Sequence, residues 1–169
     1  AGNDVRRTGE EGLFSMLAEG NLAEIGKADF QRILTTDPHT LNTLKNEYPS
    51  FLDGDRPWQV VHHTQLLLSL LDEGRLSVAR PLGLRVTYHD PCHLGRYNGI
   101  YEEPRDLLRR IGCDLVEMPR NRDNSFCCGA GGGRIWIPDK PGTCKPSEMR
   151  VREAAELGTI DVFVTCCPK

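Results

Sequence analysis

Leu84-Arg85-Val86-Thr87-Tyr88-His89-Asp90-Pro91-Cys92-His93 is the stretch on which the reading of this chain turns. Residues 84–89 are β-prone and largely apolar and predict a buried strand, which Asp90-Pro91 stops, so Cys92 and His93 fall in the loop at its carboxyl end. Open α/β sheets place their sites there. Thirty-four residues separate Cys92 from Cys127-Cys128-Gly129-Ala130-Gly131-Gly132-Gly133-Arg134, and thirty-eight separate Cys128 from Cys167, inside Cys166-Cys167-Pro168. These long, similar spacers predict a shared metal site.

Working outward, the same strand-then-helix grammar recurs on both sides. Residues 8–24 carry Leu13, Phe14, Leu17, Ala18 and Leu22 at roughly helical spacing behind Glu10 and Glu11, and predict a helix ending near Gly26. A strand over 30–36 stops at Asp37-Pro38, a helix follows over 40–48, then a strand over 58–61 and a helix over 63–73 with Leu66, Leu67, Leu70 and Leu71 inward. Downstream, Pro104 behind Glu102 and Glu103 starts a helix through Ile111; Gly112 ends it before a strand over 113–118. Residues 137–146, rich in Pro, Gly and Lys, read as a surface insertion; Ser147 caps a helix through Leu157, and the strand 161–165 ends at Cys166-Cys167. The fold class is therefore α/β, a parallel sheet flanked by helices.

An internal echo divides the chain. Arg32-Ile33-Leu34-Thr35-Thr36-Asp37-Pro38 and Val162-Phe163-Val164-Thr165-Cys166-Cys167-Pro168 are both strand-to-proline segments reached through a helix, with Asp37 aligned to Cys167. The expectation is two degenerate pseudo-repeats, residues 1–80 and 81–169, the first lacking cysteines at Asp37 and Thr40 and the second carrying the site. The chain reads as part of a longer polypeptide.

Composition limits the function classes. A chain of 169 residues, 38% of them hydrophobic, can bury a core, and a net charge of −3 with both signs mixed excludes a nucleic-acid surface built on a clustered basic face. The longest apolar run, residues 66–71, is too short to cross a bilayer. Seven cysteines with adjacent pairs and an odd count do not suit a small disulfide scaffold and point to a reducing, cytoplasmic setting with a cysteine-bound metal.

Thiolates are soft ligands that suit iron–sulfur clusters, zinc and copper(I). Neighbouring cysteines such as Cys127-Cys128 rarely chelate one ion, because their side chains point apart, but they can bind different irons of a cluster. A cluster is favoured over mononuclear zinc; a structural zinc domain or a scaffold for subunit contacts is the alternative. The glycines from Gly129 onward let backbone approach a cluster closely and aim N–H groups at sulfur. They lack the lysine and Ser/Thr of a phosphate loop, which excludes that reading.

Cys92, Cys127-Cys128-Gly129 and Cys167-Pro168 resemble the CCG domain of heterodisulfide reductase subunits and their bacterial relatives in membrane redox complexes. The resemblance extends to Thr8-Gly9-Glu10-Glu11-Gly12-Leu13-Phe14, to Leu41-Asn42-Thr43-Leu44-Lys45-Asn46-Glu47-Tyr48-Pro49, to His62-His63-Thr64-Gln65 and to Tyr88-His89-Asp90-Pro91-Cys92-His93-Leu94-Gly95-Arg96. It implies one 4Fe-4S cluster, noncubane in the heterodisulfide reductases, on Cys92, Cys127, Cys128 and Cys167. It also implies electron relay with ferredoxin-like, flavoprotein or quinone-linked membrane partners at the cytoplasmic face. The second spacer is slightly long, an excess the 137–146 insertion explains; the closing cysteine of the motif falls one position past Lys169; and Asp37-Pro38-His39-Thr40 replaces Cys-Pro-x-Cys, so no second cluster is expected.

Several residues near the cysteines carry two readings each. His93, Gly129, Arg96 and Cys166 are expected around the cluster: His93 and His89 as hydrogen-bond donors or proton carriers, Arg96 and Arg134 as compensating charge, Cys166 as a core residue or substitute ligand. Cys113 reads as a small apolar residue entering the core, and Cys144 as exposed and incidental. His62 and His63, at a helix start, read as partner-orienting residues or as capping or surface histidines.

Overall fold

The computed structural model describes residues 1–54 and 57–169. The chain is α/β and its strands pair in parallel, with the expected sheet divided in two. In the first sheet β1 (Arg32–Thr35) pairs with β2 (Gln59–His62). In the second, β3 (Arg85–His89) lies between β4 (Asp114–Leu115) and β5 (Val162–Thr165). Central position explains why residues 86–89 are all buried rather than alternating. β4 is shorter than the predicted 113–118: after Val116 N–H reaches Val86 O, Glu117 turns its side chain to Arg105.

The helices depart from expectation at their starts. The predicted helix over 8–24 is α2 (Glu11–Ile25), starting three residues late, and a short unpredicted helix α1 (Asn3–Arg7) precedes it across a turn at Thr8-Gly9, where Gly9 takes φ 94°. Of its apolar face only Phe14 and Ala18 are fully buried, against Tyr48 and Phe51, while Leu13 and Leu17 stay exposed. α3 (Pro38–Asn42) begins two residues early because the Asp37 carboxylate accepts from His39 N at 3.0 Å and Thr40 N at 3.2 Å, with Pro38 in the first turn. The chain then widens into a π turn over Thr43–Glu47 and tightens into a 3₁₀ turn over Tyr48–Phe51, rather than continuing one regular helix.

α4 (His63–Asp72) is held at its start by Gln65 Oε1, which accepts from His62 N at 3.2 Å. Its leucines at 66, 67, 70 and 71 are only half-buried; Leu67 and Leu71 line an apolar cavity of about 340 Å³ with Leu107 of α5 (Glu102–Arg110) and Ile111. α6 (Pro146–Ala155) starts at Pro146 with Lys145 as its N-cap, so Ser147 lies inside the first turn and is not the cap. The 137–146 segment is exposed and carries no helix or strand beyond the start of α6.

Two cores hold this together. The larger, around Phe14, Leu41, Tyr48 and Trp58, also takes Leu94 and Ile100 from beyond β3; the smaller joins Val86, Tyr88 and Leu108. Cys166 packs against both. β1 starts at Arg32, seven positions beyond the end of α2 at Ile25, and β5 starts at Val162, the same distance beyond Ala155 of α6. Asp37 and Cys167 each lie two residues past their strand. Among the described residues no helix is long and apolar enough to cross a membrane.

Candidate cysteine site

Cys92 sits in the turn after β3, Cys127 and Cys128 in the loop before α6, and Cys167 in the turn after β5, which lies directly beside β3. Adjacent parallel strands thus carry two of these loops to one end of the sheet. Burial raises the Cys92 thiol above its usual range, and the nearby thiols of Cys128 and Cys127 raise it further. Burial pushes Cys167 up to about 11, eased by the Lys169 backbone and reinforced by Asp37, Cys128 and Cys92. For both Cys92 and Cys167 burial is the first cause, and neighbouring thiols add to it.

The backbone at the pair turns toward sulfur. Gly129 N–H lies 3.3 Å from Cys127 Sγ and Ala130 N–H 3.5 Å from Cys128 Sγ. Gly129 takes φ 79°, and a Cβ there would meet Pro146 at 3.0 Å; a Cβ on Gly131 would meet His39 Cε1 at 3.0 Å. The loop is therefore packed close to its neighbours at positions where only glycine fits without displacement. A set of four thiols with main-chain N–H groups beside the sulfurs suits an iron–sulfur cluster in donor chemistry.

His93 Nδ1 lies 3.3 Å from Cys92 Sγ, and its ring is sandwiched between Tyr97 at 4.6 Å and His39 at 3.9 Å. Burial drives His93 down to about 4, so the ring is neutral. Its Nε2 is buried without a protein partner among the described residues. His89 accepts at Nδ1 from Arg150 Nε at 3.1 Å and is likewise held to about 4, first by burial and then by that guanidinium.

Other expected residues are used differently. Arg96 directs Nε at Asp123 O, 2.8 Å away, and Nη2 at Ser125 O, so its guanidinium is engaged by main chain. Arg134 pairs with Asp139 at 2.6 Å, inside the surface insertion. Cys166 lies beside the Tyr88 ring, its thiol pushed up to about 11 by burial. Cys113 packs partly buried against the smaller core and Cys144 is exposed. His62 is fully buried, not at the surface, with Nδ1 2.8 Å from Thr64 Oγ1 and its ring beside the backbone of Thr36 and Cys166; His63 is half-buried against it at 4.3 Å.

Sequence reasoning passed over His39. Asp37, His39 and Cys167 bring an oxygen, a nitrogen and a sulfur within 4.8 Å of one another. The Asp37 oxygens accept from His39 N, Thr40 N and Thr40 Oγ1, and His39 Nδ1 lies 3.0 Å from the Asn3 amide nitrogen, so both residues are fixed in place beside Cys167. The signal was present: His39 fills the variable position of Asp-Pro-His-Thr, beside the residue that echoes Cys167.

The α/β fold with cysteines in the turns after β3 and β5 and in the loop before α6 defines a cysteine-rich α/β domain. The chain belongs to the CCG cysteine-rich domain family, through its residues 86–169. It is 46% identical over 170 residues to the probable iron-sulfur-binding oxidoreductase FadF of Bacillus subtilis, covering 99% of this chain and 23% of that protein. It is 40% identical over 139 residues to the EtfAB:quinone oxidoreductase of Syntrophomonas wolfei, covering 82% of this chain and 19% of that protein. It is 33% identical over 172 residues to a subunit of the dihydromethanophenazine:CoB--CoM heterodisulfide reductase of Methanosarcina barkeri, covering 99% of this chain and 41% of that protein. The chain thus spans under half the length of each. No solved structure matches it.

Proposed function

We propose that this segment holds an iron–sulfur cluster, of 4Fe-4S type, on Cys92, Cys127, Cys128 and Cys167 and relays electrons between redox partners. The observation that carries this reading is the placement of Cys92 and Cys167 in the turns after the adjacent parallel strands β3 and β5, with the Cys127-Cys128 loop near enough for the Cys128 thiol to act on both. Such a cluster supplies one-electron storage. The chain's own part is to hold four deprotonated sulfurs, to direct the Gly129 and Ala130 N–H groups at them, and to limit water with the His39, His93 and Tyr97 rings.

The relatives support a place among other redox proteins: their names include an iron-sulfur-binding oxidoreductase, an EtfAB:quinone oxidoreductase and a heterodisulfide reductase. We place the segment at the cytoplasmic face of such a membrane complex, with ferredoxin-like or flavoprotein partners. Residues 1–80 act as a degenerate first repeat that contributes walls and no second cluster; the matching spacing of β1 and β5 behind their helices supports this.

Anaerobic purification tests it. The protein is expected to be brown, with broad visible absorption and about four irons per chain. Colourless protein with one tightly held zinc overturns the cluster, and iron content unchanged in the Cys127→Ser, Cys128→Ser double variant removes these ligands.

A further inference from the structure

Cys92 is flanked by two residues that reach the next cysteine loop. Asp90 is buried, and its carboxylate accepts from Arg105 Nη1 at 2.7 Å and Nη2 at 2.8 Å. Oδ2 also accepts from the backbone N–H of Arg122 at 2.8 Å, and Asp90 O accepts from Ser125 Oγ at 3.1 Å. On the other side of Cys92, the Arg96 guanidinium spans two main-chain oxygens, Asp123 O and Ser125 O. The contacts made by Asp90 and Arg96 therefore land on residues 122–125, immediately before Cys127.

That target is strained. Arg122 has φ 52°, and among the described residues no other non-glycine residue adopts positive φ. Such a backbone persists only when its surroundings hold it. Here its N–H is fixed by Asp90 and its side chain by Glu102 at 2.7 Å. Asp90 is itself anchored, because Arg105 is also held by Glu117 at 2.6 Å and by Tyr101 O at 2.7 Å.

We infer that Asp90 and Arg96 form a clasp that locks residues 122–125 in register with Cys92, and so sets the spacing of Cys127 and Cys128 from it. They are positioning residues of the thiol site, an inference that rests on the cluster reading above. The part assigned to Arg96 is its planar fork on two carbonyls, which lysine separates from its charge, since a single ammonium keeps the charge and cannot reproduce the fork.

The full chain, loaded anaerobically, is compared as wild type, Arg96→Gln, Arg96→Lys and Ser125→Ala. The rate at which a chelator bleaches the visible absorption is measured, together with the reduction potential and the hydrogen exchange of amides 122–125 with and without iron. Arg96→Gln and Arg96→Lys are both expected to bleach about tenfold faster and to exchange faster across 122–125, with Ser125→Ala bleaching a few-fold faster. Arg96→Lys matching wild type while Arg96→Gln shifts the potential overturns the clasp in favour of charge; unchanged exchange in the Arg96 variants overturns it outright. Wild-type chain without iron overturns the cluster reading alone, and exchange in that cluster-free chain still decides the clasp.

Discussion

The imidazole of His39 lies 3.9 Å from that of His93. His39 belongs to α3 and His93 follows Cys92, so the thiol site is walled by the N-terminal part of the chain as well as by the part that carries the cysteines. Asn3, on α1, donates to His39 Nδ1, which ties a third element to the same wall.

His39→Ala is therefore expected to open a gap between Gly131 and His93. The buried ring is lost and the Asn3 amide loses its acceptor, at a cost of roughly 2–4 kcal/mol. The urea midpoint should fall without a change in slope, and iron should be released faster. A variant with wild-type stability and wild-type iron retention would show that the wall is not needed.

How much of this was legible beforehand follows from what each residue does. The β3 strand and the placement of Cys92 could be read because a continuous apolar run stopped by Asp-Pro is a local pattern. The order of strands and helices was legible for the same reason. Helix starts were not: the Asp37 cap begins α3 and Pro146 in the first turn begins α6, both overriding the apolar periodicity, and the turn at Thr8-Gly9 ahead of α2 depends on one positive φ. His39 and the Asp90–Arg105 pair were missed because their importance lies in partners far along the chain, which no local spacing announces. Arg96 was read as a compensating charge, and its two main-chain acceptors were not foreseen because they lie 27 and 29 residues further along the chain.

Acid is expected to loosen the fold before the carboxylates dominate. Burial is the main cause holding His62 and His89 at about 4; His63 and Asp37 also act on His62, and Arg150, Asp90, Arg96 and Glu153 on His89. An unfolded histidine titrates near 6.5, so between about pH 4 and 6.5 the unfolded chain binds more protons, and stability rises with pH through that window and is fully present above it. Going from pH 7 to 5 should cost on the order of 1–2 kcal/mol per histidine, read as a drop in urea midpoint. His89→Gln, which keeps an acceptor for Arg150, should narrow the drop; equal midpoints at both pH values would contradict the assignment.

Gly133 sits with φ 79° where an added Cβ would lie 2.6 Å from Thr8 Cγ2. Gly133→Ala thus meets two separate penalties, about 1–2 kcal/mol of left-handed backbone and a contact with the turn after α1. Thr8→Ser removes the methyl while keeping the hydroxyl that donates to Asp4 O and Val5 O. The double variant should therefore recover part of the thermal midpoint lost by Gly133→Ala but not all of it. Full recovery would mean the backbone angle costs nothing; no recovery would mean the contact does not matter.

Thiol reactivity separates ligands from bystanders without any assay of electron transfer. Cys127 and Cys144 are exposed, whereas burial pushes the Cys166 and Cys167 thiols up to about 11 and leaves roughly 0.1% as thiolate at pH 8. In cluster-free chain, iodoacetamide should label Cys127 and Cys144 first and Cys166 and Cys167 last, as peptide mapping by mass spectrometry would record. Loading iron and sulfide should protect Cys127 while Cys144 labels at its former rate, because only a cysteine bound to metal loses its free thiolate. Cys144→Ser should accordingly leave iron content unchanged. Equal labelling of Cys127 in loaded and cluster-free chain would remove it from the ligand set, even though it is the most accessible thiol of the four proposed.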